Sequence, residues 1–122
     1  MAEVMVVVAE VMLRRWKWGE ADCCTSACDV FLRLHGVDPM EPLRGAYSSR
    51  TGADLLIDGG GGMEALAVSL ARLAGLREGI GGAGEIGVGE ARCFLIGTGE
   101  GWVGKTANGF ATVPRAVRSW RV

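Results

Sequence analysis

Between Asp22 and Gly36 the chain specifies one helix from end to end, and the remaining segments must be arranged around it. Asp22 is a favoured N-cap residue, able to accept from the free backbone N–H groups of the turn that follows. Cys23, Ala27, Val30, Phe31 and Leu34 then fall at i, i+4, i+7, i+8 and i+11, one continuous apolar stripe, and Gly36 supplies a left-handed stop. The spacing therefore predicts a helix over Cys23–His35 with one buried face. The preceding Trp16-Lys17-Trp18-Gly19-Glu20-Ala21 reads as an aromatic approach loop. Cys23 stands at the first helical position. The helix dipole and unpaired N–H groups there favour an anion, so a thiolate forms more easily than on a free cysteine.

The flanking segments follow from their own patterns. Val4 to Arg15 is almost uniformly apolar, and periodicity does not separate helix from strand there. Ala9, Glu10, Met12, Leu13 and Arg14 favour a buried helix, with Arg14, Arg15 and Lys17 suited to its C-terminal end. Asp38-Pro39 and Glu41-Pro42 make an extended connection. A short helix is expected over Arg50 to Ile57, capped by Ser48, Ser49 or Thr51 and ended by Gly59 to Gly62. Met63 to Ala74 is a second amphipathic helix, with Met63, Leu66, Ala67, Leu70, Leu73 and Ala74 on one face and Gly75 as its stop.

Beyond this point the character changes. Of the 20 glycines, most lie between Gly59 and Gly109, so this half is turn-rich. Gly79 to Gly89 reads as a glycine-rich loop. Arg92 to Ile96, Gly101 to Lys105 and Phe110 to Val113 read as short strands, joined at Thr98-Gly99-Glu100-Gly101 and Ala107-Asn108-Gly109. Pro114 ends the last strand. Val113, Val117 and Trp120 are expected to dock the tail on the body, with Arg115, Arg118 and Arg121 facing outward. Helices followed by an antiparallel meander make an α+β layout, and 122 residues make one domain, 1–122.

Composition excludes several function classes. The net charge is −1, without a Lys/Arg block, so nucleic-acid binding is not expected. Val4 to Leu13 is interrupted by Glu10 and too short to span a bilayer, and Glu3 replaces the basic start of a signal peptide. Synthesis and folding in the cytoplasm are expected. Three of the four cysteines, Cys23, Cys24 and Cys28, lie within six residues, a poor disulfide framework. With Cys93 they are read as reduced thiols.

A cysteine hydrolase needs a thiolate, a base to form it, and a group that orients the base. The single histidine, His35, lies about 18 Å along the helix axis from Cys23 and does not serve it; a C-terminal cap is its expected role. Asp22 reads as a helix cap in preference to a catalytic acid. Gly104-Lys105-Thr106 lacks the remainder of a phosphate loop.

The box Trp18-Gly19-x-x-Asp22-Cys23, the helix ending at Gly36, the Tyr47 segment, the glycine-rich stretch and the terminus Ala116-x-x-x-Trp120-Arg121-Val122 resemble the small phage-encoded relatives of NlpC-type, papain-like cell-wall peptidases. Such proteins occur in the tail-gene clusters of bacteriophages and gene transfer agents. The resemblance implies a papain-like fold, a nucleophile at Cys23, substrate contacts at Trp18, Gly19 and Tyr47, and a histidine opening the strand after the glycine-rich loop. The matching segment here is Cys93-Phe94-Leu95-Ile96-Gly97-Thr98-Gly99, so Cys93 stands where the family histidine would. A thiol is an inefficient general base at neutral pH, and little or no hydrolysis is expected.

The resulting expectation is a phage tail-tip component with a degenerate cysteine-peptidase fold, acting mainly as a structural or assembly module. Its partners would be hub, distal-tail or tail-fibre-like subunits, its place the virion tail, and no cofactor is expected. Two alternatives stay open. One is an active peptidoglycan peptidase with Cys23 as nucleophile. The other is a tail protein whose cysteines ligate zinc or an iron–sulfur cluster, although residues 23 and 24 point about 100° apart on a helix. Trp16 and Trp18 either line a groove or pack on the first helix, and Trp102 and Trp120 are core or interface residues.

Overall fold

The computed structural model describes residues 2–122. Four helices come first: α1 (Ala2–Met12), α2 (Cys23–His35), α3 (Arg50–Gly59) and α4 (Met63–Leu73), with a 3-10 turn at Glu41–Leu43. Six short strands follow: β1 (Arg77–Glu78), β2 (Ile86–Val88), β3 (Phe94–Gly97), β4 (Trp102–Lys105), β5 (Phe110–Val113) and β6 (Arg118–Arg121). They form one antiparallel sheet in the order β1-β6-β2-β3-β4-β5. The architecture is α+β, as the sequence predicts.

α2 is the central helix. Ala27, Val30 and Phe31 on its stripe are fully buried, Leu34 is half-buried, and Gly36 stops the helix at φ 75°. This stripe packs on α1 on one side and on the sheet on the other. The core joins Val4, Val8, Val11 and Met12 of α1 to Ile86, Val88, Phe94, Ile96, Val103 and Trp120, the alternate residues of four strands that share one face. Burying a Phe or Ile side chain there contributes about 1.5–3 kcal/mol. α1 ends at Met12, earlier than its apolar run. Arg14 Nε donates to Val11 O at 2.8 Å, and Nζ of the buried Lys105 donates to Met12 O at 2.7 Å. The orphan carbonyls at the end of α1 are thus met by one cation from its own chain end and one from the sheet. Ser49 is the cap of α3, accepting from Gly52 N–H.

Several elements differ from the sequence reading. The stretch Gly79–Gly89, expected to be loop throughout, contains β2, a central strand. Its middle residue, Gly87, looked like a loop residue because the space a side chain would fill belongs to Trp102. A Cβ on Gly87 would stand 2.8 Å from the Trp102 ring, which lies across the outer face of the sheet. The C-terminal tail is also no docking segment. It is β6, hydrogen-bonded between β1 and β2. Of its three expected anchors only Trp120 is buried; Val113 and Val117 are exposed. Arg118 does not simply face outward, since it pairs with Glu78 at 2.6 Å and lies over the Trp120 ring. Leu73, assigned to the buried face of α4, is exposed, because the helix presents Ala67, Leu70 and Ala71 to the core. Arg92 and Cys93 precede β3 instead of belonging to it. His35 caps nothing on its own helix: its Nε2 lies 2.8 Å from Gly84 O, tying the end of α2 to the segment before β2.

Candidate functional site

Asp22 organises the start of α2. It is 1% exposed, and its carboxylate is fully engaged. Oδ1 accepts from Cys24 N–H at 2.9 Å, Thr25 N–H at 2.8 Å and the Thr25 hydroxyl at 3.1 Å. Oδ2 accepts from Gly19 N–H at 2.8 Å and from the Tyr47 hydroxyl at 2.6 Å. Thr25 Oγ1 in turn accepts from Asp22 N–H at 2.9 Å, completing a capping box with Thr in the position usually held by Glu or Gln. A carboxylate with five donors is a structural anchor. Its acceptor sites are occupied, so it does not act as a base toward Cys23.

The same carboxylate assigns Gly19 and Tyr47 their roles. The approach loop closes through Ala21 N–H to Lys17 O at 2.7 Å, with Gly19 at φ 84°. A Cβ on Gly19 would stand 2.2 Å from Tyr47 O, so only glycine lets the loop meet the Tyr47 strap. Trp18 and Trp16 stack edge to face with centroids 5.1 Å apart. Trp18 forms one wall of a cleft of about 290 Å³ that also touches Cys23, Tyr47, Arg50, Asp54 and Arg92. Of the three positions offered for substrate contact, Trp18 lines this opening and Tyr47 borders it, with the Tyr47 hydroxyl committed to Asp22. Gly19 acts through backbone geometry.

Cys23 lies at the cleft floor. Its sulfur is 3.6 Å from the carbonyl of Arg92, the residue before Cys93, and the thiols of Cys24 and Cys93 act on its ionisation. Cys93 Sγ is also 3.3 Å from Phe94 O. The structure thus brings together the two cysteines that sequence separates by 70 positions, and adds Cys24 as a third. Those two S–H donors hold the Cys23 thiol well below the ordinary thiol range, against the opposing effects of burial and of the Asp22 charge. Cys24 and Cys93 move the other way. Each is raised, first by its interaction with Cys23 and then by burial. Cys28 is fully buried and is pushed up by burial.

A reactivity profile follows. Alkylation of Cys23 by iodoacetamide, followed by peptide mapping across pH, should show a midpoint well below the value of about 8.5 for a free cysteine, while Cys28 stays unmodified in the folded chain. Cys93→Ala should move the Cys23 midpoint upward by removing one of its two donors. A wild-type midpoint near that of free cysteine would contradict the arrangement.

Arg92 is a site residue that the sequence reading passed over. It has φ 34° without being glycine, a strained conformation for an L residue. Its guanidinium pairs with Asp54 and Asp58 of α3, at 3.0 and 2.8 Å. The signal that could have found it is the i, i+4 pair of carboxylates on one face of α3; the strained turn itself left no trace in residue type. Among the described residues, no group of three or more His, Cys, Asp and Glu side chains is placed to hold a metal ion, and no helix is long and apolar enough to cross a membrane.

No curated protein and no solved structure matches the chain. One family does, over residues 2–122, and its description is a domain of unknown function, DUF6950. Since the match runs through the capped helix, the thiol cleft and all six strands, the chain belongs to the DUF6950 family.

Proposed function

We propose that this protein is a phage tail-tip component with a papain-like, NlpC-type peptidase fold that has lost its catalytic base and serves as a structural or assembly module. The observation that carries this reading is that the segment beside the Cys23 sulfur, which lies 3.6 Å from Arg92 O, offers the thiol of Cys93 and no imidazole. A cysteine peptidase needs one group that takes the proton from the thiol and returns it to the leaving amine. An imidazole can do both near neutral pH. The Cys93 thiol, its proton held more tightly than in a free cysteine, can do neither. His35 is tied to Gly84 O at the far end of α2, and Asp22 is saturated by its five donors.

An assembly role would give partners to apolar side chains that three separate segments leave in solvent. They are not the tryptophans, none of which is exposed. They are instead Ile80, Leu73 and Leu55, at 82%, 73% and 69% exposure. The partners would be hub, distal-tail or tail-fibre-like subunits.

One observation favours a second reading, an active peptidoglycan peptidase. The lowered Cys23 thiol sits on the first turn of α2, although the Cys24 and Thr25 N–H groups of that turn are committed to Asp22. The two readings separate on turnover. Purified protein and its Cys23→Ser variant are incubated with peptidoglycan fragments, and released peptides are measured. Equal release at background level is expected for both, along with co-purification of each with co-expressed tail subunits. Release that depends on Cys23 would overturn the assembly reading in favour of the peptidase.

A further inference from the structure

We propose that Cys23 and Cys93 form a redox-active dithiol: a hydroperoxide entering the cleft beside Trp18 oxidises Cys23, and Cys93 resolves the product to an intramolecular disulfide. Cys23 and Cys93 lie close together, since the Cys23 sulfur is 3.6 Å from the carbonyl of Arg92, the residue before Cys93, yet they open to solvent on different sides. Cys23 opens on the cleft lined by Trp18, Arg50 and Arg92. Cys93 opens on a separate groove of about 440 Å³ on the outer face of the sheet, beside Leu95, Gly104 and Pro114. The two cysteines therefore line two different openings, with the Cys93 sulfur on the groove side beside Gly104 and the Cys23 sulfur 3.6 Å from the carbonyl of the residue before Cys93. A degenerate hydrolase site has no need of the second opening, whereas a dithiol that is oxidised from one side and reduced from the other does.

The chemistry balances with the groups present and the named oxidant. The Cys23 thiolate attacks one peroxide oxygen and the O–O bond breaks. The departing alkoxide takes a proton from water and leaves as an alcohol, or as water from hydrogen peroxide. Sulfur is oxidised by two electrons to a sulfenic acid and the peroxide is reduced by two. Arg50, which has no ion-pair partner among the described residues, stands on the cleft wall as a cation for the developing negative charge. Cys93 then loses its proton and attacks the Cys23 sulfur. The S–O bond breaks, hydroxide leaves as water, and the S–S bond forms. Two equivalents of an external thiol reverse the oxidation. The first attacks Cys93 from the outer groove and expels Cys23, the thiolate that leaves more readily because its thiol is the more acidic of the two.

Cys93 is the resolving partner for geometric reasons. Cys24 follows Cys23 on a continuous helix, where neighbouring side chains diverge by about 100°. Its N–H is also pinned to Asp22, so a bond between consecutive sulfurs would have to unwind the capped turn. Cys28 is fully buried and reaches neither opening. Cys93 comes from a different element and needs no change in α2.

The test treats the reduced full-length protein with stoichiometric hydrogen peroxide at neutral pH and reads intact mass and disulfide-linked peptides. The expected result is loss of two hydrogens, a Cys23–Cys93 linked peptide, full reversal by dithiothreitol, and oxidation of Cys23 at least roughly tenfold faster than Cys28. Cys24→Ser should retain the linkage. Cys93→Ser should lose it and accumulate a Cys23 sulfenic acid trapped by dimedone. A Cys23–Cys24 linkage, sulfinic acid accumulating at Cys23 in the wild-type protein, linkage only between molecules, or Cys23 left unoxidised would each overturn the proposal. The wild-type map decides the matter even if a variant fails to fold.

Discussion

Replacing Asp22 with Ala is expected to destabilise the chain by about 3–5 kcal/mol. Loss of an N-cap alone costs about 1 kcal/mol, but Asp22 does more than cap. Its carboxylate also holds the Gly19 loop and the Tyr47 strap against the helix start, and the Thr25 hydroxyl is buried beside it. Removing the acceptor leaves several of these donors unpaired in a site that water does not readily reach, at about 1–3 kcal/mol for each that finds no substitute. Against a total stability of about 5–15 kcal/mol for a domain of this kind, the melting temperature should fall on the order of 10–20 °C. Thermal unfolding followed by circular dichroism checks this, and a fall of only a degree or two would mean that the network is not holding the site.

Asp22→Asn separates anchor from base. It keeps one acceptor oxygen but turns an amide N–H₂ toward Gly19 N–H and the Tyr47 hydroxyl, so an intermediate loss of stability is expected. The Asp22 charge acts to raise the Cys23 thiol. Its neutralisation should therefore leave the Cys23 alkylation midpoint in place or lower it. A rise would indicate that Asp22 promotes ionisation of Cys23.

The second large effect lies outside the cleft. Glu85 is 4% exposed, and its carboxylate accepts from Ile80, Gly81 and Gly82 N–H at 2.9, 3.0 and 2.9 Å and from the Ser119 hydroxyl at 2.8 Å. It folds the glycine-rich segment back on itself and ties it to β6. Gly79 is required there, since a Cβ would stand 1.9 Å from a Glu85 carboxylate oxygen. Glu85→Ala should cost about 2–4 kcal/mol and expose the 79–84 segment to proteolysis, which limited digestion would show.

Burial works to raise the Glu85 carboxyl, but its N–H and hydroxyl donors prevail and hold it below the usual carboxylate value. The folded pKa therefore lies below the unfolded one of about 4.3. The group's stabilisation is full above the unfolded value and disappears as pH falls through the folded value. In urea unfolding between pH 7 and 2, Glu85→Gln should start less stable than wild type, with the gap narrowing toward acid. A constant gap would mean that Glu85 does not titrate differently in the two states.

How much of the site could be read in advance depends on the range of the interactions that make it. The position of Cys23 on the first turn of α2 was legible, because a cap, a stripe and a stop act within about 14 residues of one another. That Asp22 is saturated was not. Two of its five donors come from the approach loop and from Tyr47, and their geometry depends on a glycine whose contact lies 28 residues away. Arg92 went unseen because its positive φ contradicts its residue type and its ion-pair partners lie on α3, far away in the chain. The expected tail anchors Val113 and Val117 failed because apolar character in so short a segment says little about which side faces the core.

The sequence by itself determined the helices, the α+β order and the hairpin between β4 and β5. Caps, glycine stops, 3.6-residue periodicity and the Asn108-Gly109 turn are local, and local backbone energetics act on them before any tertiary contact forms. Only the tertiary structure decided that β2 is a central strand, that the tail is inserted into the sheet as β6, that Lys105 closes the end of α1, and that Cys93 meets Cys23. Each of these is settled by packing or hydrogen bonding between segments far apart in the chain. The residues involved, a glycine, a serine, a lysine and a cysteine, carry no local preference strong enough to announce the pairing.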